Sequence, residues 1–234
     1  MNDILQGLGS AFHLLVSLDP DLTEITWLSL RVSVGATLVS SVIGLTLGAW
    51  LAVNRFRTRR LVIAVLNAFM GLPPVVVGLM VYVLFSRSGP FGVLGLLFTP
   101  TIMVVAQVII ITPIIASVAH QAIRELWADY HDLLISLNTT RGQRIRALLW
   151  DGRRALVTAS LAGFGRAIGE VGAIMIVGGN IDHATRVLTT AIALETGKGE
   201  FEMALALGFV LIALAVTVNL CVHMLSRTER GSRW

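Results

Sequence analysis

Apolar residues in this chain come in long unbroken runs, without the helical or alternating spacing of a soluble core. Five runs reach the roughly 20 residues that a helix needs to cross a hydrocarbon layer about 30 Å thick: Leu28–Val53, Leu61–Phe85, Thr101–Ala119, Ala155–Gly178 and Ala204–Leu225. Each is apolar all round and carries more glycine than a soluble helix tolerates, as packed membrane helices do. Trp27 and Trp50 bracket the first run near the depths where aromatic anchors sit. The pattern predicts an all-α, polytopic membrane domain over residues 21–234 with five transmembrane helices. Before it, Ile4, Leu5, Leu8, Phe12 and Leu15 recur at helical spacing and stop at Asp19-Pro20. That segment is too short to span, so residues 1–20 read as an amphipathic helix lying on the membrane.

Composition agrees. The chain is 55% hydrophobic and 14% charged, whereas soluble domains run near a quarter charged; too few polar side chains remain to cover a soluble surface. The opening MNDILQGLGS lacks the basic start of a cleaved signal peptide. Cys221 is the lone cysteine, so no disulfide forms within the chain, and its apolar neighbours suit a core role.

The net charge of +4 invites a nucleic-acid reading until the basic residues are located. Arg55, Arg57, Arg59 and Arg60 fall between runs one and two. Arg124, Arg141, Arg144, Arg146, Arg153 and Arg154 fall between three and four, and Arg227, Arg230 and Arg233 in the tail. All three regions lie on one side, while the opposite loops hold Arg87, Arg186 and Lys198. The positive-inside rule then places the N-terminus outside and the C-terminus in the cytoplasm. Basicity is explained by topology, and nucleic acid is not an expected partner.

Catalytic and metal patterns are missing. There is no HExxH, paired CxxC or GxSxG, and His13, His120, His131, His183 and His223 lack ligand spacing. Gly163-Phe164-Gly165 starts like a dinucleotide fingerprint, but Ile168 stands at the third glycine position. Gly197-Lys198 lacks the rest of a P-loop. The chain is therefore expected to bind no metal, cofactor or ATP itself; uphill movement would draw energy from another subunit or an ion gradient.

Several features look functional. Pro73-Pro74 must interrupt the second run, freeing carbonyls that lipid cannot satisfy, so the break faces protein or a wet pathway, or is only a kink. Gly44 and Gly48 in the first run, and Gly165, Gly169 and Gly172 in the fourth, form stripes for close helix contact, within the subunit or between copies. Arg166 and Glu170, one helical turn apart in that fourth run, share a face that must avoid lipid. Thr185, Thr189 and Thr190 offer hydroxyls, though capping a surface helix is their commoner use, and Val187–Leu194 reads as a short apolar helix. The cytoplasmic connector over 124–150 has helical periodicity at Leu133, Leu134, Leu137, Ile145, Leu148 and Leu149, interrupted at Asn138-Thr139-Thr140-Arg141-Gly142. Two short helices with a polar corner would present a knob to a cytoplasmic partner; a plain solvated loop needs no such pattern.

From about Thr26 onward the sequence resembles the ABC importer permeases of the molybdate, sulfate and tungstate group. The likeness runs through LSLRVSVGATL, GLPPVVVGL and AQVIIITPII and is strongest in GFGRAIGEVGAIMIVGGNI and RVLTTAIALETGKGEFEMALALG, where it is nearest to the tungstate permeases. On that family's coupling motif Asp132 takes the acidic position and Asn138 the glycine position. Leu133 and Leu134 replace small residues, and Asp151 replaces a proline. Asn tolerates the left-handed backbone that glycine supplies.

The resemblance implies a type I ABC importer permease fold in a prokaryotic plasma membrane. It implies a second copy of the chain, two cytoplasmic ATPase subunits holding ATP and Mg, and an extracytoplasmic oxyanion-binding protein. It casts Asp132, Leu137, Asn138, Thr139, Thr140 and Arg141 as the ATPase-coupling residues. Pro73, Pro74, Arg166 and Glu170 would border the pathway or gate, Arg166 either meeting the anion or neutralising Glu170. Tungstate is the expected cargo, with molybdate next; a proton-coupled secondary anion transporter using Arg166 and Glu170 is the rival from another class, and would need no docking knob.

Overall fold

The computed structural model describes residues 19–54 and 56–230. The surface helix expected over residues 1–20 lies outside these, apart from its last two positions. The described elements are helical: α1 (Pro20–Val53), α2 (Arg59–Met70), α3 (Pro74–Phe85), a 3-10 turn at Gly92–Leu94, α4 (Pro100–Ser136), α5 (Arg141–Asp151), α6 (Arg153–Ile168), α7 (Gly172–Gly178), α8 (Leu188–Lys198) and α9 (Phe201–Arg230). Three helices are long and apolar enough to cross a membrane unaided, and five spans result when each interrupted pair, α2 with α3 and α6 with α7, counts as one.

The first interruption falls where the two prolines require it. Pro74 opens α3 at a position where the missing N–H is no loss. The turn before it closes on its own backbone: Gly71 N donates to Ala68 O (3.0 Å), Leu72 N to Phe69 O (3.3 Å), and Val76 N to Pro73 O (3.0 Å). The second interruption, at Gly169-Glu170-Val171, corrects the expectation of one continuous helix over Ala155–Gly178. The connector differs too. No glycine or proline stops the helix after His120, so α4 runs on to Ser136 and supplies the first of the two helices flanking the polar corner.

The chain divides into two compact units. One takes the described chain up to Ala36, with Pro73–Gln107 and Ala167–Val218; the other takes Thr37–Leu72, Val108–Arg166 and the described chain from Asn219. In the first, α3 and α7 meet through small residues. A Cβ on Gly78 would stand 2.7 Å from Ala173 Cα, and one on Gly172 would stand 2.5 Å from Val75 Cγ2. Leu22, Ile25, Leu188, Ala191, Ala206 and Leu207 form an adjoining core in which α8 is anchored.

In the second unit α1 lies against α4. A Cβ on Gly48 would stand 2.5 Å from Ala116 O, and one on Gly44 would stand 3.0 Å from Ile115 Cβ. Gly163 makes the corresponding approach from α6, 2.6 Å from Ile115 Cδ1. Such contacts matter because lipid is as apolar as leucine, so close packing, more than burial, holds membrane helices together. The same logic orders α1. Ser29, Ser33, Ala36, Ser40 and Gly44 are buried along one stripe while Leu38 and Val42 are exposed.

Candidate functional site

The fourth span is unwound at its middle, and the groups this frees are taken up by three different elements. Ala167 O, in the last turn of α6, accepts from Glu170 N (3.2 Å) and from Gln107 Nε2 on α4 (2.9 Å). Glu170 O accepts from Thr189 Oγ1 on α8 (2.8 Å). The Glu170 carboxylate turns forward and accepts from Ala173 N through Oε1 (3.2 Å), capping α7. Gln107, Glu170 and Thr189 are all buried. Ser29, Ser33, Gln107, Glu170 and Thr189 line a narrow cleft beside the joint. Every freed group that goes unpaired in hydrocarbon costs several kcal/mol, so a break in a span needs such partners.

This geometry corrects the i,i+4 reading of Arg166 and Glu170. Arg166 stays in the last turn of α6, half-buried, while Glu170 lies in the joint, so they do not share the face of one helix. Both residues have interaction partners. The stripe Gly165, Gly169 and Gly172 is divided as well. Gly165 and Gly169 are exposed and Gly169 lies past the end of α6, which leaves Gly172 to pack on α3. Two residues that sequence reasoning passed over do this work: Gln107, the one amide in AQVIIITPII, and Gly78, at the far end of the GLPPVVVG stretch.

The threonine hydroxyls serve the backbone. Thr185 Oγ1 donates to Gly178 O (2.6 Å) and accepts from Ile181 N (2.9 Å). Thr190 Oγ1 accepts from Val187 N (3.1 Å) ahead of α8, and Ser29 Oγ accepts from Leu188 N (2.7 Å). The apolar helix foreseen from Val187 starts at Leu188. In the loop before it, His183 Nδ1 meets Glu24 Oε2 at 2.9 Å. That hydrogen bond, then the carboxylate's charge, raises the imidazole above its ordinary pKa of 6.5.

The connector corner is built from its own side chains. Asn138 has φ +50°, the left-handed backbone in which a β-branched residue is strained. Thr139 Oγ1 donates to Leu134 O (2.6 Å) and accepts from Arg144 Nε (3.2 Å). Thr140 and Gln143 form a reciprocal capping box that starts α5 at Arg141. Leu137 and Trp150 stay exposed, and Arg153 stacks over Trp150 at 5.1 Å. Ile145, Leu149 and Trp150 line an apolar cleft with Gly142 and Arg146. Asp132 projects into solvent, its Oδ1 2.9 Å from His131 Nδ1. Leu137, Asn138, Thr139 and Thr140 form the corner between α4 and α5, Arg141 opens α5, and Asp132 lies in the last turns of α4.

A membrane-spanning component with interrupted helices and an exposed polar corner is what the fold defines. The chain belongs to the family of binding-protein-dependent transport system inner membrane components, whose model matches residues 44–231. It is similar to the tungstate uptake system permease protein TupB of Peptoclostridium acidaminophilum, 36% identical over 96% of this chain and 99% of that one. It is also similar to a probable anion ABC transporter permease of Haloferax volcanii, 40% identical over 85% and 88%, and to TupB of Campylobacter jejuni, 37% identical over 74% and 72%. Among solved structures, the MetNI methionine ABC transporter in an inward-facing conformation matches with TM-score 0.73 over 89% of this chain and 95% of that one. At 20% identity that likeness concerns the fold.

Proposed function

We propose that the chain is the membrane permease of an ATP-driven oxyanion importer and that its cargo is tungstate. The observation that carries this is the near full-length similarity to a tungstate uptake permease. A molybdenum transport permease of Azotobacter vinelandii is similar at 28% over 81% of this chain, which makes molybdate the second reading. Membership of a binding-protein-dependent family speaks against a proton-coupled secondary carrier.

In this reading two copies pair around the path, and an extracytoplasmic binding protein selects the anion and delivers it. In the same reading the N-terminus lies outside and the connector corner in the cytoplasm, which the arginine distribution favours. There Leu137 to Arg141 seat in a groove on an ATPase subunit that holds ATP and Mg. The unwound joint of the fourth span lets the membrane half of the machine change shape, because a joint held by side chains rearranges at less cost than an intact helix.

The test is uptake in cells lacking this chain. Tungstate accumulation should fall most, molybdate less and sulfate least. Loss of sulfate uptake alone would overturn the assignment.

A further inference from the structure

Gln107 is one of the largest fully buried side chains among the described residues, and it lies within an apolar span. A methionine of the same reach would sit there more cheaply, because a buried amide must be satisfied. Only half of this one is: Nε2 holds Ala167 O at 2.9 Å, while Oε1 has no hydrogen-bond partner. Ala167 is where the helical ladder fails. In a continuous helix its carbonyl would accept from the amide four residues on, Val171 N–H. Here it takes Glu170 N at the tighter three-residue spacing, together with the Gln107 amide. With Glu170 N and Gln107 Nε2 on its two lone pairs, Ala167 O has no place for Val171 N–H until one of them leaves.

We propose that Gln107 is a positioning residue of the transport cycle, holding the fourth span unwound by occupying the carbonyl that would otherwise rewind it. When the Gln107 amide lets go, Val171 N–H can take Ala167 O and join α6 to α7. That rewinding would shift the Glu170 carboxylate from its place beside Ala173 N and free Glu170 O from Thr189. The joint then has two alternative sets of backbone hydrogen bonds, as a bistable element requires. This needs the chain to be a transporter, which the family establishes, and does not depend on which anion is carried.

The test compares wild type with Gln107→Met and Gln107→Leu in the assembled transporter and in the purified full chain. Amide exchange at Glu170–Val171 is the deciding readout. If Gln107 holds the joint open, its loss should slow exchange there by about fivefold or more while membrane abundance is kept. Transport should lose maximal rate at unchanged apparent KM. Faster exchange at these amides in both variants would make Gln107 a structural prop and overturn the proposal, as would unchanged exchange. A variant with poor abundance is replaced by the other, and Thr189→Val gives an independent arm, since releasing Glu170 O should also slow exchange at Val171. Wild-type chain that carries no tungstate would fail the cargo assignment and leave the exchange result standing.

Discussion

The two interrupted spans reach similar ends by opposite means. At Gly71–Pro74 the break is written in covalent structure: Pro74 cannot donate, Pro73 disfavours a helix before it, and the freed groups close on neighbouring backbone within the turn. At Gly169–Val171 no residue forbids a helix. The break stands because Gln107, Thr189 and the Glu170 carboxylate each take a backbone group that a helix would use. A break made by proline is permanent, whereas one made by side chains can be unmade. The two then lean on each other, since α3 and α7, the helices that follow the breaks, pack through Gly78 and Gly172.

That contact is where the comparison breaks most easily. Gly78→Leu drives a side chain into the backbone of Ala173, which cannot move aside, and should cost about 3 kcal/mol or more, with folded protein in the membrane nearly lost. Fluorescence-detected size exclusion of the solubilised chain measures it. Gly172→Ala clashes with a methyl of Val75 and comes into ordinary contact with Glu170 Oε1, so its cost should be about 1–3 kcal/mol, and Val75→Ala in the same chain should restore thermal stability. A double variant no better than Gly172→Ala would show that α3 and α7 do not meet this way.

Smaller effects sharpen the contrast. Glu170→Ala removes the cap of α7 and should cost about 1 kcal/mol in thermal unfolding. Glu170→Gln keeps an oxygen for Ala173 N and should cost clearly less. At the other break Pro74→Ala should leave the turn in place and lose only about 0.4–1 kcal/mol, mostly through the unfolded chain. A larger loss at Pro74 than at Glu170 would reverse the assignment of which break is self-supporting.

The smallest effect lies apart from both breaks. His183 is raised above 6.5 by Glu24, so its protonated form is favoured in the folded chain. This contribution is full below pH 6.5 and fades as pH rises through the raised value. Thermal stability should therefore decline slightly over that window in wild type. His183→Gln should flatten the slope.

Much of this could be read from the residues alone, and the exceptions have one cause. The five spans follow from run length, the first break from Pro73-Pro74, and the corner from the polar run Asn138-Thr139-Thr140-Arg141-Gly142, all local signals. Gly169-Glu170-Val171 carries no such signal, because glutamate suits a helix interior and a single glycine is tolerated there. Its unwinding depends on a glutamine more than sixty positions earlier by number and a threonine on another helix. Contacts between residues so far apart leave no mark on the pattern of apolar runs. The glycine contacts divide the same way: Gly44 and Gly48 stand out as a regular pair, whereas Gly78 is an isolated residue whose neighbour, Ala173, comes from a distant part of the chain.

One helix joins the corner to the joint. Gln107 stands near the start of α4 and Asn138 lies just past its end, with Pro113 inside the helix between them. At about 1.5 Å per residue, the 37 residues of α4 make a rod of about 55 Å, far longer than the hydrocarbon layer of about 30 Å. A helix of that length leaves the layer before its last turns, so the left-handed step at Asn138 is taken outside the hydrocarbon.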